Sequence, residues 1–118
     1  MAIRGIAAAQ SALMAQSKRL HASAHNTANL QTEGYKSLTV SVQEAGSPGS
    51  GVETTVERTD TPGPALLDDG GTIIGEGSNV DLVDEAVTRI TAKRAYEANL
   101  KSLAAQSETT NLLFEIAD

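Results

Sequence analysis

From Ser78 to the last residue, Asp118, the chain contains neither glycine nor proline, and this uninterrupted stretch constrains the fold more than any other feature. The spacing predicts one long helix. Ser78, Asn79 and Asp81 are residue types that cap exposed N–H groups at a helix start, and Asp81, Asp84 and Glu85 put negative charge where the macrodipole favours it. Val80, Val83, Val87 and Ile90 recur at intervals of three and four, and Tyr96, Leu100, Leu103, Ser107, Thr110, Phe114 and Ala117 continue the rhythm on a rotated stripe. At about 1.5 Å per residue such a helix extends about 55 Å, more than a compact domain of this chain length can cover. It needs a partner along its length.

Residues 3–31 supply one. Ile6, Leu13 and Leu20 fall seven apart, with Ala9, Ala24 and Leu30 near the interleaved positions, while Arg4, Lys18 and Arg19 mostly face elsewhere. Small residues on a seam let two helices approach closely. The expected seam therefore joins Leu13 and Leu20 to Val83, Val87, Ile90, Leu100 and Leu103. The first helix is expected to stop near Thr32, since Gly34 offers the left-handed position that a C-terminal cap often uses.

From Ser37 the period changes to two. Leu38, Val40 and Val42 alternate with Thr39, Ser41 and Gln43, and Val52, Thr54 and Val56 alternate with Glu53, Thr55 and Glu57. The stretch Ala45 to Gly51 between them is turn chemistry, so the two runs predict an antiparallel hairpin with one face on the helices. Pro62, Gly63 and Pro64, followed by Asp68, Asp69, Gly70 and Gly71, break any helix over 61–77, where Leu66, Leu67, Ile73 and Ile74 pin the segment down or form a short third strand. The expected fold is mainly α with a small β part: an antiparallel, coiled-coil-like pair of long N- and C-terminal helices plus a β-hairpin in the middle. Residues 1–118 form a single domain, divided into a helix over 1–33, a hairpin over 37–60, an irregular loop over 61–77 and a helix over 78–118.

Composition narrows the function. Tyr35, Tyr96 and Phe114 are the only aromatic residues and much of the apolar content is alanine, which leaves little to wall a roomy enzyme pocket. The net charge is −6, and residues 40–85 hold ten acids against Arg58 alone, which argues against a nucleic-acid surface. Cysteine is absent, so disulfides, thiolate catalysis and cysteine-based zinc sites are excluded together. No apolar run approaches the ~20 residues that span a bilayer, and no charged segment leads into an apolar one with a cleavage site.

No motif carries catalysis. His21 and His25, four apart on the first helix, share a face, but no catalytic acid lies between them and no third ligand is evident, so ordinary polar helix positions explain them. Asp68, Asp69 and Glu76 lack the spacing of a calcium loop. Gly75-Glu76-Gly77 lacks the third glycine and the lysine of a phosphate-binding turn, and Glu76 and Asp81 would repel phosphate. No G-x-S-x-G is present, and Lys93, Arg94 and Glu97 suit a solvated helix face with i,i+4 pairing. Catalytic, cofactor and metal residues are expected to be absent, and no small-molecule substrate is implied.

Two stretches together say more. SAHNTANLQTEGYK, Ser23 to Lys36, resembles the N-terminal signature of the bacterial flagellar rod and hook proteins, in which a helix ends in an Asn-rich segment followed by a TxGYK turn. GSNVDLVDEAVTRITAKRAYEANLKSL, Gly77 to Leu103, resembles the C-terminal signature of that family. Asn26, Asn29, Thr32, Gly34 and Tyr35 match the first motif; Asn79, Val80, Asp81, Tyr96 and Asn99 match the second. The resemblance covers roughly half the residues, reaches the family rather than one member of it, and implies structural roles. The asparagines would satisfy backbone groups where helix gives way to extended chain, and the tyrosines would fill gaps between helices.

The resemblance implies a structural subunit of the flagellar basal-body rod, exported by the flagellar type III machinery without a cleaved signal peptide and resident in the cell envelope. Its partners would be itself and other rod and hook proteins, with no nucleic acid and no membrane insertion. The residues agree, since long amphipathic helices without a catalytic constellation suit association, and heterologous contacts that do not close give open helical assemblies. The rival readings are a cytoplasmic coiled-coil adaptor or export chaperone for axial proteins, and a small metal-dependent hydrolase using His21 and His25.

Overall fold

The computed structural model describes residues 2–117, so the expected helix ends at 1 and 118 lie outside the described residues. The first helix, α1, runs Ala2–Ala28, and the second, α2, runs Leu82–Ala117. They are antiparallel, with Gly5 lying against Gln106 at one end and Ser23 and Asn26 against Glu85 at the other. Between them come β1 (Leu38–Glu44), β2 (Val52–Arg58), β3 (Ala65–Leu67) and β4 (Ile73–Glu76), forming two separate antiparallel hairpins. The molecule is long and narrow, with extents of 81 × 25 × 14 Å.

Helix α1 is the middle layer. It packs against α2 on one side and the β1–β2 hairpin on the other, whereas α2 does not reach those strands. The hairpin turns the face of Val40, Val42, Val52 and Thr54 toward α1, where Val52 N–H donates to Ser11 Oγ at 3.1 Å and Lys18 Nζ donates to Thr54 Oγ1 at 2.9 Å. Gly51 enters β2 with φ of 103°, and a Cβ there would run into the Ser11 hydroxyl. Only glycine combines that backbone with so close a passage.

The core is made of small residues. Among the described residues Ala9, Ala15, Ala22, Val40 and Ala92 are the buried apolar side chains, and the largest fully buried ones are Asn26 and Ser23. Along α2 the inward positions are Glu85, Thr88, Ala92, Tyr96, Asn99, Leu103 and Gln106, a three-four rhythm offset from the valines and leucines. Burying alanine removes little area, so this pair gains only modest apolar stabilisation at ~25 cal/mol per Å².

Two expectations about elements need correction. The 61–77 segment is not irregular throughout: β3 and β4 pair across it, with a bulge between Leu66 and Leu67. Asp68 Oδ1 accepts from Gly70 and Thr72 N–H at 2.9 and 2.8 Å, and Gly71 takes a φ of 82°, closing the turn. The helices are also shorter than expected at their inner ends. Asn79 is committed to the strands rather than to a cap, so residues 78–80 lie outside the helix and Asp81 does the capping, its Oδ1 accepting from Val83 N–H at 2.9 Å. At the other helix, Asn29 N–H bonds Asn26 O at 3.1 Å and Thr32 N–H bonds Asn29 O at 3.1 Å, so regular helix ends at Ala28 in a series of tighter turns.

Candidate functional site

The polar residues gather where α1 ends, β1 begins and α2 begins. Asn26 is 1% exposed and its four side-chain bonds reach three residues, Tyr35, Leu38 and Glu85. Its Oδ1 accepts from Leu38 N–H and from the Tyr35 hydroxyl, both at 2.8 Å; its Nδ2 donates to Leu38 C=O at 2.9 Å and to Glu85 Oε1 at 2.8 Å. Ser23 Oγ adds a bond to the Glu85 carbonyl at 3.2 Å. Asn26 thereby ties α1 to β1 and to α2 through one side chain. An amide is the group for this task, since it donates and accepts within a single plane.

Asn79 ties the other side. Its Oδ1 accepts from Ser37 N–H at 2.6 Å, and its Nδ2 donates to the carbonyls of Thr59 and Thr61 at 2.6 and 3.0 Å. Its own N–H donates to Tyr35 C=O at 3.2 Å. Gly34, in the left-handed region at φ 68°, donates its N–H to Glu76 C=O at 2.9 Å, and the Lys36 ammonium pairs with the Glu76 carboxylate. The two motif stretches therefore meet in space, through backbone groups that would otherwise be unpaired at a chain crossing.

Tyr35 lies over the junction. His25 Nδ1 lies 2.6 Å from its hydroxyl, and since that hydroxyl donates to Asn26, His25 serves it as an Nδ1–H donor. Burial, reinforced by the Glu85 carboxylate and opposed by Arg58, pushes the Tyr35 hydroxyl above its usual value of 10.0. Of the remaining motif residues, Asn29 Nδ2 donates to His25 C=O at 2.9 Å, Thr32 Oγ1 to Asn29 Oδ1 at 3.0 Å, and Asn99 Nδ2 to Ala95 C=O at 2.8 Å. Val80 and Tyr96 are half-buried.

The expected seam divides. Leu13, Leu20 and Leu103 are half-buried, but Val83, Val87, Ile90 and Leu100 are exposed, at 70% for Val83 and 54% for Val87. These four do not form the intrachain seam. The reason is the close approach of the helices, which admits Ala92 at 0% exposure beside Glu85 and turns the bulky stripe of α2 outward. Leu112, Leu113, Phe114 and Ile116 near the end of α2 are exposed as well. Sequence reasoning missed Glu85 and Ser23, whose signal was their position: Ser23 precedes Asn26 by three on α1, and Glu85 precedes Ala92 by seven on α2.

An elongated helix pair whose internal contacts are small and polar, and whose large apolar side chains face outward, is the form of a structural assembly subunit. Comparison with known proteins places it. A family model described as flagella basal body rod protein matches residues 6–36, and one described as flagellar basal body rod FlgEFG protein C-terminal matches residues 72–113. The flagellar basal-body rod protein FlgC of Yersinia enterocolitica is 34% identical over 110 residues, covering 80% of this chain and 82% of the relative. The protein of the same name from Salmonella typhimurium is 34% identical over 112 residues, with the same coverage. The chain belongs to the flagellar basal-body rod family. The two matched segments carry Asn26, Tyr35, Asn79 and Glu85, the residues that meet at the junction.

Proposed function

We infer that the chain is a structural subunit of the bacterial flagellar basal-body rod, assembling with other rod components, and not an enzyme. Similarity to rod proteins over four-fifths of both chains carries this reading. The reading extends to self-association: Val83, Val87, Ile90 and Leu100 are exposed on α2 and suited to burial against a neighbouring subunit, at about 1.5–3 kcal/mol for each side chain fully buried. Contacts between unlike faces of identical chains build an open helical array. Export by the flagellar type III machinery, without a cleaved signal peptide, completes the proposal; among the described residues no helix is long and apolar enough to cross a membrane.

A cytoplasmic adaptor or chaperone role is not favoured, because the named relatives are rod proteins. The test is to isolate hook–basal bodies from cells making the full chain and probe them for it. Recovery in the rod fraction after detergent and salt washing is the expected result. Recovery only in the cytosol, with intact basal bodies lacking the chain, would overturn the reading.

A further inference from the structure

Neither strand of the two-stranded β1–β2 sheet has a second neighbour among the described residues, and the outer edge of β1 is the one that faces a groove between α1 and α2. Ser37 C=O accepts from Thr59 N–H and Gly51 C=O from Ala45 N–H, so odd-numbered residues of β1 exchange backbone bonds with β2. Even-numbered residues must then direct their N–H and C=O groups away from β2. Leu38 demonstrates this: both of its outward groups are met by the Asn26 amide, which pairs with the strand edge as a neighbouring strand would. Past Leu38 no described residue continues the pairing. Val40 and Val42 present the next outward groups, and among the described residues β1 has no neighbouring strand but β2.

This edge borders a groove of about 530 Å³. Leu38 and Val40 form one wall, Arg19 and Ala22 of α1 the floor, and Asp84 and Thr88 of α2 the opposite wall. The volume falls within the range of sites that hold a small ligand, room enough for one or two side chains of a bound strand. Proteins commonly guard such an edge with proline or lysine, and LTVSVQE contains neither.

We propose that the groove receives an extended peptide segment of another protein, which adds as a strand to the open edge of β1 at Val40 and Val42 and places a lysine or arginine against Asp81 and Asp84. Strand addition of this kind takes its affinity from backbone bonds and its selectivity from side chains at alternate positions. Charge selects the occupant. Asp81, which caps α2, and Asp84 within it are exposed on the α2 wall and with Glu85 outnumber Arg19 on the floor. The strands of a second copy would bring their own acidic middle, with ten acids against Arg58 over residues 40–85, into that field. The inference rests on the edge geometry and does not depend on the rod assignment.

The test uses the purified full chain and two blocked heptapeptides, one of alternating lysine and valine and one of alternating glutamate and valine, with amide exchange followed by NMR. The lysine peptide is expected to slow exchange at Val40 and Val42 about tenfold, while Ser41 and Gln43, already bonded to β2, stay unchanged. The glutamate peptide should leave all four amides alone. Val42→Pro removes an outward N–H without touching the ladder to β2, and Asp84→Lys reverses the wall charge; each should weaken the lysine peptide about tenfold with the circular dichroism unchanged. Slowing at odd and even positions alike, no slowing, or equal binding of both peptides overturns the proposal. So does slowing at Val40 and Val42 that grows with protein concentration in the absence of peptide, which would assign the edge to a second copy.

Discussion

Replacing Asn26 with alanine removes the one side chain that joins α1, β1 and α2. Leu38 N–H and C=O each lose their partner, Glu85 loses a donor, and the Tyr35 hydroxyl loses its acceptor. An unsatisfied buried group costs about 1–3 kcal/mol, and Leu38 is only half-buried, so its two groups fall at the low end. With the carboxylate included, the loss comes to about 3–5 kcal/mol, offset by about 0.5 kcal/mol for the better helix propensity of alanine. For a chain of this size each kcal/mol moves the thermal midpoint by roughly 3–5 °C, so the expected fall is about 10–20 °C. Asn29→Ala is the control. It removes a bond to His25 C=O and one from Thr32 Oγ1 within the same motif, but both bonds are exposed, and their loss should cost about 1 kcal/mol or less. The assay is thermal unfolding by circular dichroism, at concentrations low enough for the chain to be monomeric, because association raises apparent stability. If the two variants melt within a few degrees of each other, the junction is not the brace described here.

Asn79→Ala should free the Ser37 amide, raising its hydrogen exchange rate about tenfold while amides in the middle of α1 keep theirs. For Tyr35 the folded-state value lies above the unfolded one, so its contribution is complete below the ordinary value of 10.0 and is lost as pH rises through the folded-state value. Urea midpoints between about pH 9 and about pH 11 should therefore fall more steeply for the natural chain than for Tyr35→Phe. Leu13→Asp and Leu103→Asp, at half-buried positions of the helix pair, should abolish assembly, whereas Val87→Asp should leave monomer helicity unchanged and still reduce assembly, as read by light scattering and electron microscopy.

The two long helices and the first hairpin were legible because each carries an unbroken period. The stretch 78–118 lacks breakers, and β1 and β2 alternate over seven residues each. The second hairpin was hidden, since strands of three and four residues are too short for a period and sit among glycines and aspartates that read as loop. The α2 side of the seam, Leu103 apart, was misplaced for a different reason. Large apolar residues at helical spacing usually mark the face turned inward, but here alanine, serine and asparagine face inward and the valines face outward. Hydropathy gives no signal for a seam of that kind. The motif residues themselves stood out by their resemblance to a family, yet that Asn26 would meet Glu85 depended on where the second helix docks, which neither stretch encodes alone.

The measurement that bears most directly on the whole account is disulfide cross-linking in isolated basal bodies. The chain has no cysteine of its own, so single substitutions report one position at a time. Ile90→Cys, on the outward stripe of α2, should give cross-links to other chains under mild oxidation, while Ala92→Cys, at 0% exposure in the intrachain seam, should give none. Cross-linking of Ala92→Cys between chains, with Ile90→Cys remaining uncoupled, would mean that α2 meets its neighbours through the face assigned here to α1 and would contradict the account.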